Sequence, residues 1–218
     1  MPSTTGAVTL AELLGRQRVL PLVEVDDAAQ AVELARVLVD HGSPVMEIAL
    51  RTPGAISAIE AVRSSVEDAV VGAGTVVSPD QLSAVIAEGA VFAVSPGSSA
   101  PLLSAAEDCP IPCVPGVATA TELMRVAEFG MREVKFFPAE AAGGVATAAA
   151  LGAVLPWMRF LPTGGIDASS APAYLALEQV FAVGGSWMCP ATLIRRGAWD
   201  EIAKRVRTAS SLTEPGSS

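Results

Sequence analysis

The chain has 218 residues, 51% of them hydrophobic and 17% charged, with a formal net charge of −9. That is ample apolar material for a large core, and α/β barrels reach this length undivided. The acidity excludes a nucleic-acid footprint, which favours basic surfaces, and suits solubility instead. Any anionic ligand must be held locally, by a few arginines or by backbone N–H groups. Cys109, Cys113 and Cys189 form no paired framework, and with one histidine a Cys/His zinc site is not expected. Free thiols in a reducing cytoplasm are the expectation. The opening "MPSTTGAVTLAELLGRQ" lacks the basic region and apolar run of a signal peptide.

Thr9 and Glu12 have capping-box spacing, so a short helix over 9–16 is expected, lying across one end of the fold. The first strand is 19–25, "VLPLVEV". A helix over 27–41 follows, with Ala31, Leu34, Ala35 and Leu38 at i, i+3, i+4 and i+7, and Gly42 marks its end. Strands at 45–50 "VMEIAL" and 69–75 "AVVGAGT" lead to Ser78-Pro79, an N-cap with proline at the first helical position. Gly89 stops that helix. Strands at 92–97 "FAVSPG" and 111–117 "IPCVPGV" come next, then a second capping box at Thr119 and Glu122 and a stop at Gly130.

The strand at 133–139 is "EVKFFPA". Residues 141–158 are uncharged throughout, the lower length limit for a membrane span. Their Ala/Gly content and their place in the alternation predict a helix packed closely on a sheet instead. Strands at 159–165 "RFLPTGG" and 179–186 "QVFAVGGS" complete the set, and the tail "ASSLTEPGSS" reads as solvated.

Eight near-continuous apolar strands alternating with helices predict one parallel sheet covered on both faces. The economical closure is a single (β/α)8 TIM barrel spanning residues 1–218, with about 1–7 and 209–218 flexible; a doubly wound open sheet is the alternative.

Active sites of such barrels lie at the C-terminal strand ends. Alternation on the second strand puts Glu47, Ala49 and Arg51 on one face, with Met46, Ile48 and Leu50 on the other. On the sixth, Lys135 and Phe137 share a face. Lys135 is one of only two lysines, the other being Lys204. Strands two and six of eight face each other, so Glu47, Arg51 and Lys135 are expected in one cavity. A salt-bridged plug is the bland alternative, but simple packing uses branched apolar residues. Glu133 shares the Lys135 face and is a candidate to neutralise it.

A dry site beside Arg51 disfavours the charged ammonium, and a neutral amine attacks carbonyls to give Schiff bases. Arg51 suits a keto-acid carboxylate, and Glu47 suits proton transfer. The glycines of "PTGG" and "GGS", each expected just before a helix start, predict a phosphate cradle of backbone N–H groups. His41 at a helix end, Cys113 facing the core as a small hydrophobe, and Trp157, Trp187 and Trp199 as packing residues complete the inventory.

The motifs "LRT", "VGAGTV", "SPG", "KFFPAE", "PTGGI" and "GGSW", in this order over nearly the whole chain, resemble those of the bacterial 2-keto-3-deoxy-6-phosphogluconate (KDPG) and 4-hydroxy-2-oxoglutarate (KHG) aldolase family. The resemblance implies a cofactor-free, metal-independent class I aldolase, cytoplasmic and homotrimeric, acting on a phosphorylated keto acid and binding neither nucleic acid nor membrane. It implies Lys135 as the Schiff-base lysine and Glu47 as proton acceptor and donor. Arg51 and Thr75 would hold the pyruvate carboxylate, and Thr163 would orient the pyruvyl group. Pro96 and Phe137 would line the pocket; Gly164, Gly165, Gly185 and Ser186 would hold the phosphate. Two positions depart from the pattern, Ala49 where Thr is common and Ala142 where Asn is common. The first removes a hydroxyl near Glu47 and bears on substrate preference. The alternatives are an aldolase for the galactonate-derived epimer, a phosphosugar isomerase or epimerase, and a non-catalytic phosphate-binding barrel.

Overall fold

Apolar runs without polar alternation are buried on both faces, and the strands here have that pattern. In the computed structural model, which describes residues 8–212, these are β1 (Val19–Val23), β2 (Val45–Ala49), β3 (Val70–Gly74), β4 (Ala93–Val94), β5 (Cys113–Val114), β6 (Gly116–Val117), β7 (Glu133–Phe136), β8 (Arg159–Pro162) and β9 (Val183–Gly185). All five residues of β1 and of β2 are buried. The fifth predicted strand is two pieces, β5 and β6, because Pro115 between them has no N–H to donate. The Pro115 carbonyl still accepts from Lys135 N at 2.9 Å, so one stave continues through the break.

Every strand pair is parallel, in the orders β5-β4-β3-β2-β1-β9 and β6-β7-β8. Bridges from Phe160 to Val180 and from Thr163 to Gly184 join the β8 stave to the β9 stave, closing the ring. The fold is therefore the expected α/β barrel rather than an open sheet.

The helices are α1 (Leu10–Leu14), α2 (Ala28–Asp40), α3 (Ala55–Ser65), α4 (Pro79–Ala87), α5 (Ala100–Glu107), α6 (Ala120–Glu128), α7 (Gly144–Val154), α8 (Ala171–Leu175), α9 (Ala191–Arg195) and α10 (Trp199–Ser211). The predicted starts hold: Ser78 accepts from Gln81 N, and Thr9 and Thr119 each close a capping box. Gly42, Gly89 and Gly130 adopt the left-handed conformation after helix ends, at φ of 79°, 85° and 76°. The uncharged 141–158 stretch contributes the 11-residue α7, and no helix among the described residues is long and apolar enough to cross a membrane.

Two apolar layers result from the period of two along each strand. Outward residues such as Met46, Ile48, Val134 and Phe136 pack under the helices with Leu34 and Leu38 of α2. Inward residues Leu20, Val45, Phe92, Val94, Val114, Leu161 and Phe181 fill the barrel, and Leu10 and Leu14 of α1 seal its N-terminal end. The apolar filling forms a floor, and Glu47 of β2 and Lys135 of β7 stand above it.

Two expectations need correction. Residues 209–211 extend α10, with Ala209 buried against the core, because the apolar stripe of that helix continues through them. The predicted flexibility of 1–7, and of the tail from 213 onward, lies outside the described residues. Trp157 does not pack; it is 56% exposed in the turn after α7. His41 caps α2 as expected, with Nδ1 2.8 Å from Val37 O.

Candidate active site

β2 and β7 bring their polar side chains together inside the barrel. Lys135 Nζ lies 3.5 Å from Glu47 Oε1, with the lysine 3% and the glutamate 0% exposed. The ring of Phe137 lies 5.3 Å from the ammonium, at cation–π distance. Among the described residues, Glu47 Oε2 is buried without a hydrogen-bond partner. A buried carboxylate oxygen left unpaired is destabilising, so it marks a group held for another purpose. An amine and a carboxylate at this distance can exchange a proton without solvent.

Glycine makes the room. A Cβ on Gly74 of β3 would fall 1.9 Å from Glu47 Oε1, and one on Gly184 of β9 would fall 2.4 Å from Thr163 Oγ1. Neither glycine was among the predicted site residues. The signal was present in "GAGT" and "VGG", since glycine inside a strand marks a close approach.

Thr163, Pro96 and Thr75 follow the C-terminal ends of β8, β4 and β3. Thr163 is buried at the end of β8, its hydroxyl donating to Leu161 O at 3.3 Å. Pro96 follows β4, its carbonyl carbon so close that a Cβ on Gly116 would lie at 2.2 Å. Thr75 follows β3 with φ of 61°, the one non-glycine residue with positive φ among those described. For a β-branched residue that conformation is strained by about 1–2 kcal/mol.

Gly164 and Gly165 turn the loop after β8 with φ of 104° and 80°, and Gly185 ends β9 beneath the Trp187 ring. Ser186 is exposed directly after it. The expectation of immediate helix starts here is corrected: α8 begins only at Ala171 and α9 at Ala191. Gly164 and Gly165 are loop backbone, because left-handed glycines carry the chain away from a helical path.

Arg51 and Glu133 are also placed differently from expectation. Arg51 is half-exposed at the rim, 4.0 Å from Glu24, because β2 ends at Ala49 and a turn redirects the chain. Glu24 also meets Arg195 at 3.2 Å, and Arg195 meets Asp26 at 2.9 Å. The acidic run after β1, "EVDD", was the unused signal for this rim network. Glu133 does not face Lys135. It accepts from Leu10 N at 2.9 Å and Ala11 N at 3.3 Å, capping α1, with Arg159 at 3.8 Å. Burial pushes the Glu133 carboxyl up, against those hydrogen bonds and the Arg159 charge.

Sequence reasoning also passed over Glu140 of "KFFPAE". Tyr174, the chain's only tyrosine, donates to Glu140 Oε1 at 2.6 Å. Burial first and the neighbouring carboxylate second push that hydroxyl up, keeping it a neutral donor. Glu140 also sits where a Cβ on Gly165 would be 2.8 Å away, pinning the β7–α7 loop beside the glycine turn.

No group of three His, Cys, Asp or Glu side chains among the described residues is placed to hold a metal ion. A cavity of about 700 Å³ lies elsewhere, beside the start of β1 and under α10, and does not include Lys135 or Glu47. Its Arg18 already donates to the carbonyls of Leu175, Val180 and Phe181.

A parallel β/α barrel with a buried lysine–carboxylate pair above an apolar floor belongs to the class of barrels built for carbonyl chemistry at an amine. Residues 10–205 match the family model described as KDPG and KHG aldolase. The chain belongs to the KDPG and KHG aldolase family. It is 46% identical over 191 residues to the KHG/KDPG aldolase of Escherichia coli K12, covering 88% of this chain and 90% of that protein. Its fold matches the crystal structure of KDPG aldolase from Legionella pneumophila, which holds pyruvate as a covalent carbinolamine intermediate. That match has a TM-score of 0.88 and 40% identity over 90% of this chain and 96% of the other. The 2-keto-3-deoxy-6-phosphogluconate aldolase of Zymomonas mobilis ZM4, solved with 3-phosphoglycerate, matches with a TM-score of 0.84. Its identity is 38%, over 89% of this chain and 91% of that one.

Proposed function

We propose that this chain is a class I aldolase cleaving 2-keto-3-deoxy-6-phosphogluconate to pyruvate and D-glyceraldehyde 3-phosphate. 4-Hydroxy-2-oxoglutarate, giving pyruvate and glyoxylate, is its second substrate. The carrying observation is the buried Lys135–Glu47 pair at 3.5 Å with Glu47 Oε2 unpaired.

The ammonium of Lys135 passes a proton to Glu47, and the neutral amine attacks the keto carbon C2. Glu47 returns that proton to the former keto oxygen, which leaves as water, giving an iminium, an electron sink on the carbon next to C3. Glu47, through a water, accepts the C4 hydroxyl proton; the C3–C4 bond breaks and its electron pair enters the iminium as an enamine. The aldehyde leaves, C3 regains a proton from Glu47, and water releases pyruvate and restores the Lys135 ammonium. Arg51 and Thr75 hold the carboxylate at the rim, where Arg51 is drawn inward from Glu24. Thr163 orients the pyruvyl group, and Pro96 and Phe137 line its pocket. Gly164, Gly165, Gly185 and Ser186 hold the phosphate through backbone N–H groups.

Three features of the relatives support this reading. The Legionella enzyme holds pyruvate covalently, the Escherichia enzyme is named for both keto acids, and the Zymomonas enzyme was solved with a three-carbon phosphate. A homotrimer in the cytoplasm is part of the proposal and rests on the family alone.

Borohydride reduction in the presence of pyruvate is expected to add mass to the peptide carrying Lys135. Glu47→Gln should lose turnover while keeping part of that trapping. An unmodified Lys135 peptide would sink the reading. Pyruvate release across 2-keto-4-hydroxy acids with and without a terminal phosphate, including the galactonate-derived epimer, ranks the substrates.

A further inference from the structure

We infer that Cys109 and Cys113 form an oxidisable dithiol site, reacting with a two-electron oxidant of the peroxide class and closing to a disulfide within the chain. The inference rests on the loop between α5 and β5 and is independent of the aldolase reading. Cys113 packs against the core as expected, and the inference adds a redox role to it.

The loop carries "CPIPC". Cys109 leaves α5, its N–H still donating to Ala106 O at 3.4 Å, and Cys113 opens β5 in register with Ala93 of β4. Both sulfurs fold around Ile111. Its N–H donates to Cys109, its carbonyl accepts from Cys113 Sγ at 3.7 Å, and the two sulfurs lie close enough to interact. Pro110 and Pro112 flank Ile111 and lock φ on either side of it. A stiff loop has few conformations to lose, so closure is entropically favoured over that of a flexible loop. Both thiols are partly exposed, within reach of a small solute, whereas Cys189 is buried.

The contact also divides the roles. The neighbouring Cys113 thiol holds Cys109 down at about 6, with the Ile111 N–H adding to this against burial. The same contact, with burial, pushes Cys113 up. The C-terminal end of α5 disfavours a thiolate at Cys109, so its reactivity depends on the neighbouring Cys113 thiol.

In the first step the Cys109 thiolate attacks a peroxide oxygen. The O–O bond breaks, a sulfenic acid forms, and the departing hydroxide leaves as water with the Cys113 proton. In the second step the Cys113 thiolate attacks the sulfenic sulfur and expels hydroxide, which becomes a second water with the proton that Cys109 released to solvent on ionising. Two thiols lose two electrons and two protons; one peroxide becomes two waters. The bond ties the end of α5 to the start of β5, at the strand entrance, away from the C-terminal strand ends. Aldolase turnover is expected to be unchanged.

The test is brief treatment of the intact protein with hydrogen peroxide, alkylation of remaining thiols, and peptide mass analysis. The peptide holding both cysteines should lose the mass of two hydrogens and regain it with a thiol reductant, while Cys189 stays reduced. With Cys113→Ala, dimedone should trap a sulfenic acid on Cys109, formed more slowly than the wild-type disulfide. Full alkylation of both thiols after peroxide, or disulfides only between molecules on a non-reducing gel, would overturn the inference. The wild-type arm decides it even if the variant fails to fold.

Discussion

Gly74→Ala tests whether the position of the Glu47 carboxylate governs turnover. The new methyl would sit 1.9 Å from Glu47 Oε1 and 2.6 Å from Cγ, where real Cβ contacts do not fall below 3.0 Å. The carboxylate must therefore retreat by at least about 1.1 Å, the shortfall between 1.9 and 3.0 Å. Gly74 does not have a positive φ, so alanine brings no backbone strain and the effect is steric. Misplacing a catalytic group by about 1 Å lowers rate by about 100-fold. Overpacking also destabilises a core by roughly 1–3 kcal/mol, so the assay is run well below the variant's own melting temperature. Pyruvate release read by a coupled dehydrogenase should fall by about 100-fold, while borohydride trapping of pyruvate on Lys135 persists, since the amine is not displaced. A folded variant with wild-type turnover would refute the assignment of Glu47 as the proton-transfer group. Loss of trapping together with turnover would show that the methyl disrupts the barrel rather than the carboxylate.

Thr75→Asn relieves the left-handed strain at φ 61°, since asparagine tolerates that region, and should raise unfolding stability by about 1 kcal/mol. It should at the same time weaken keto-acid binding, seen as a raised KM; a lowered stability would show that Thr75 is not strained. Glu133 gives a pH signature. Its folded value lies above the ordinary 4.5, so the stability gained from its protonation is present below that value and lost as pH rises through the raised one. Relative to Glu133→Gln, the wild type should therefore gain stability in urea unfolding as pH falls from neutral towards 4.5. A flat difference, or the opposite slope, would remove burial as the dominant influence on this carboxyl.

Much of the site was legible because strand alternation is a local property. Glu47 and Lys135 face inward on opposite staves for the same reason that Met46 and Val134 face the helices. Caps were equally legible, since Thr9–Glu12, Ser78–Gln81 and Thr119–Glu122 each close over three residues. Arg51 was not legible in the same way. Alternation assumes that the strand continues, and β2 stops at Ala49, so the arginine meets Glu24 at the rim. Glu133 was misjudged because sharing a face does not fix a depth. It lies two residues nearer the barrel's sealed end, where the N–H groups of α1 compete for it.

By itself, then, the sequence determined the order of elements, their starts and stops, the inward faces and the lysine–glutamate pair. These follow from backbone geometry and hydrophobic period, which act over a few residues. Only the tertiary structure decided which partner each polar group takes: Glu24 for Arg51, the α1 amides for Glu133, Tyr174 for Glu140, and Cys113 for Cys109. It alone revealed that Gly74 and Gly184 exist to admit Glu47 and Thr163. Those outcomes depend on stagger between strands and on where each chain segment turns. Hydrogen bonds and steric contacts are lost within an ångström or two, a precision that no residue period encodes.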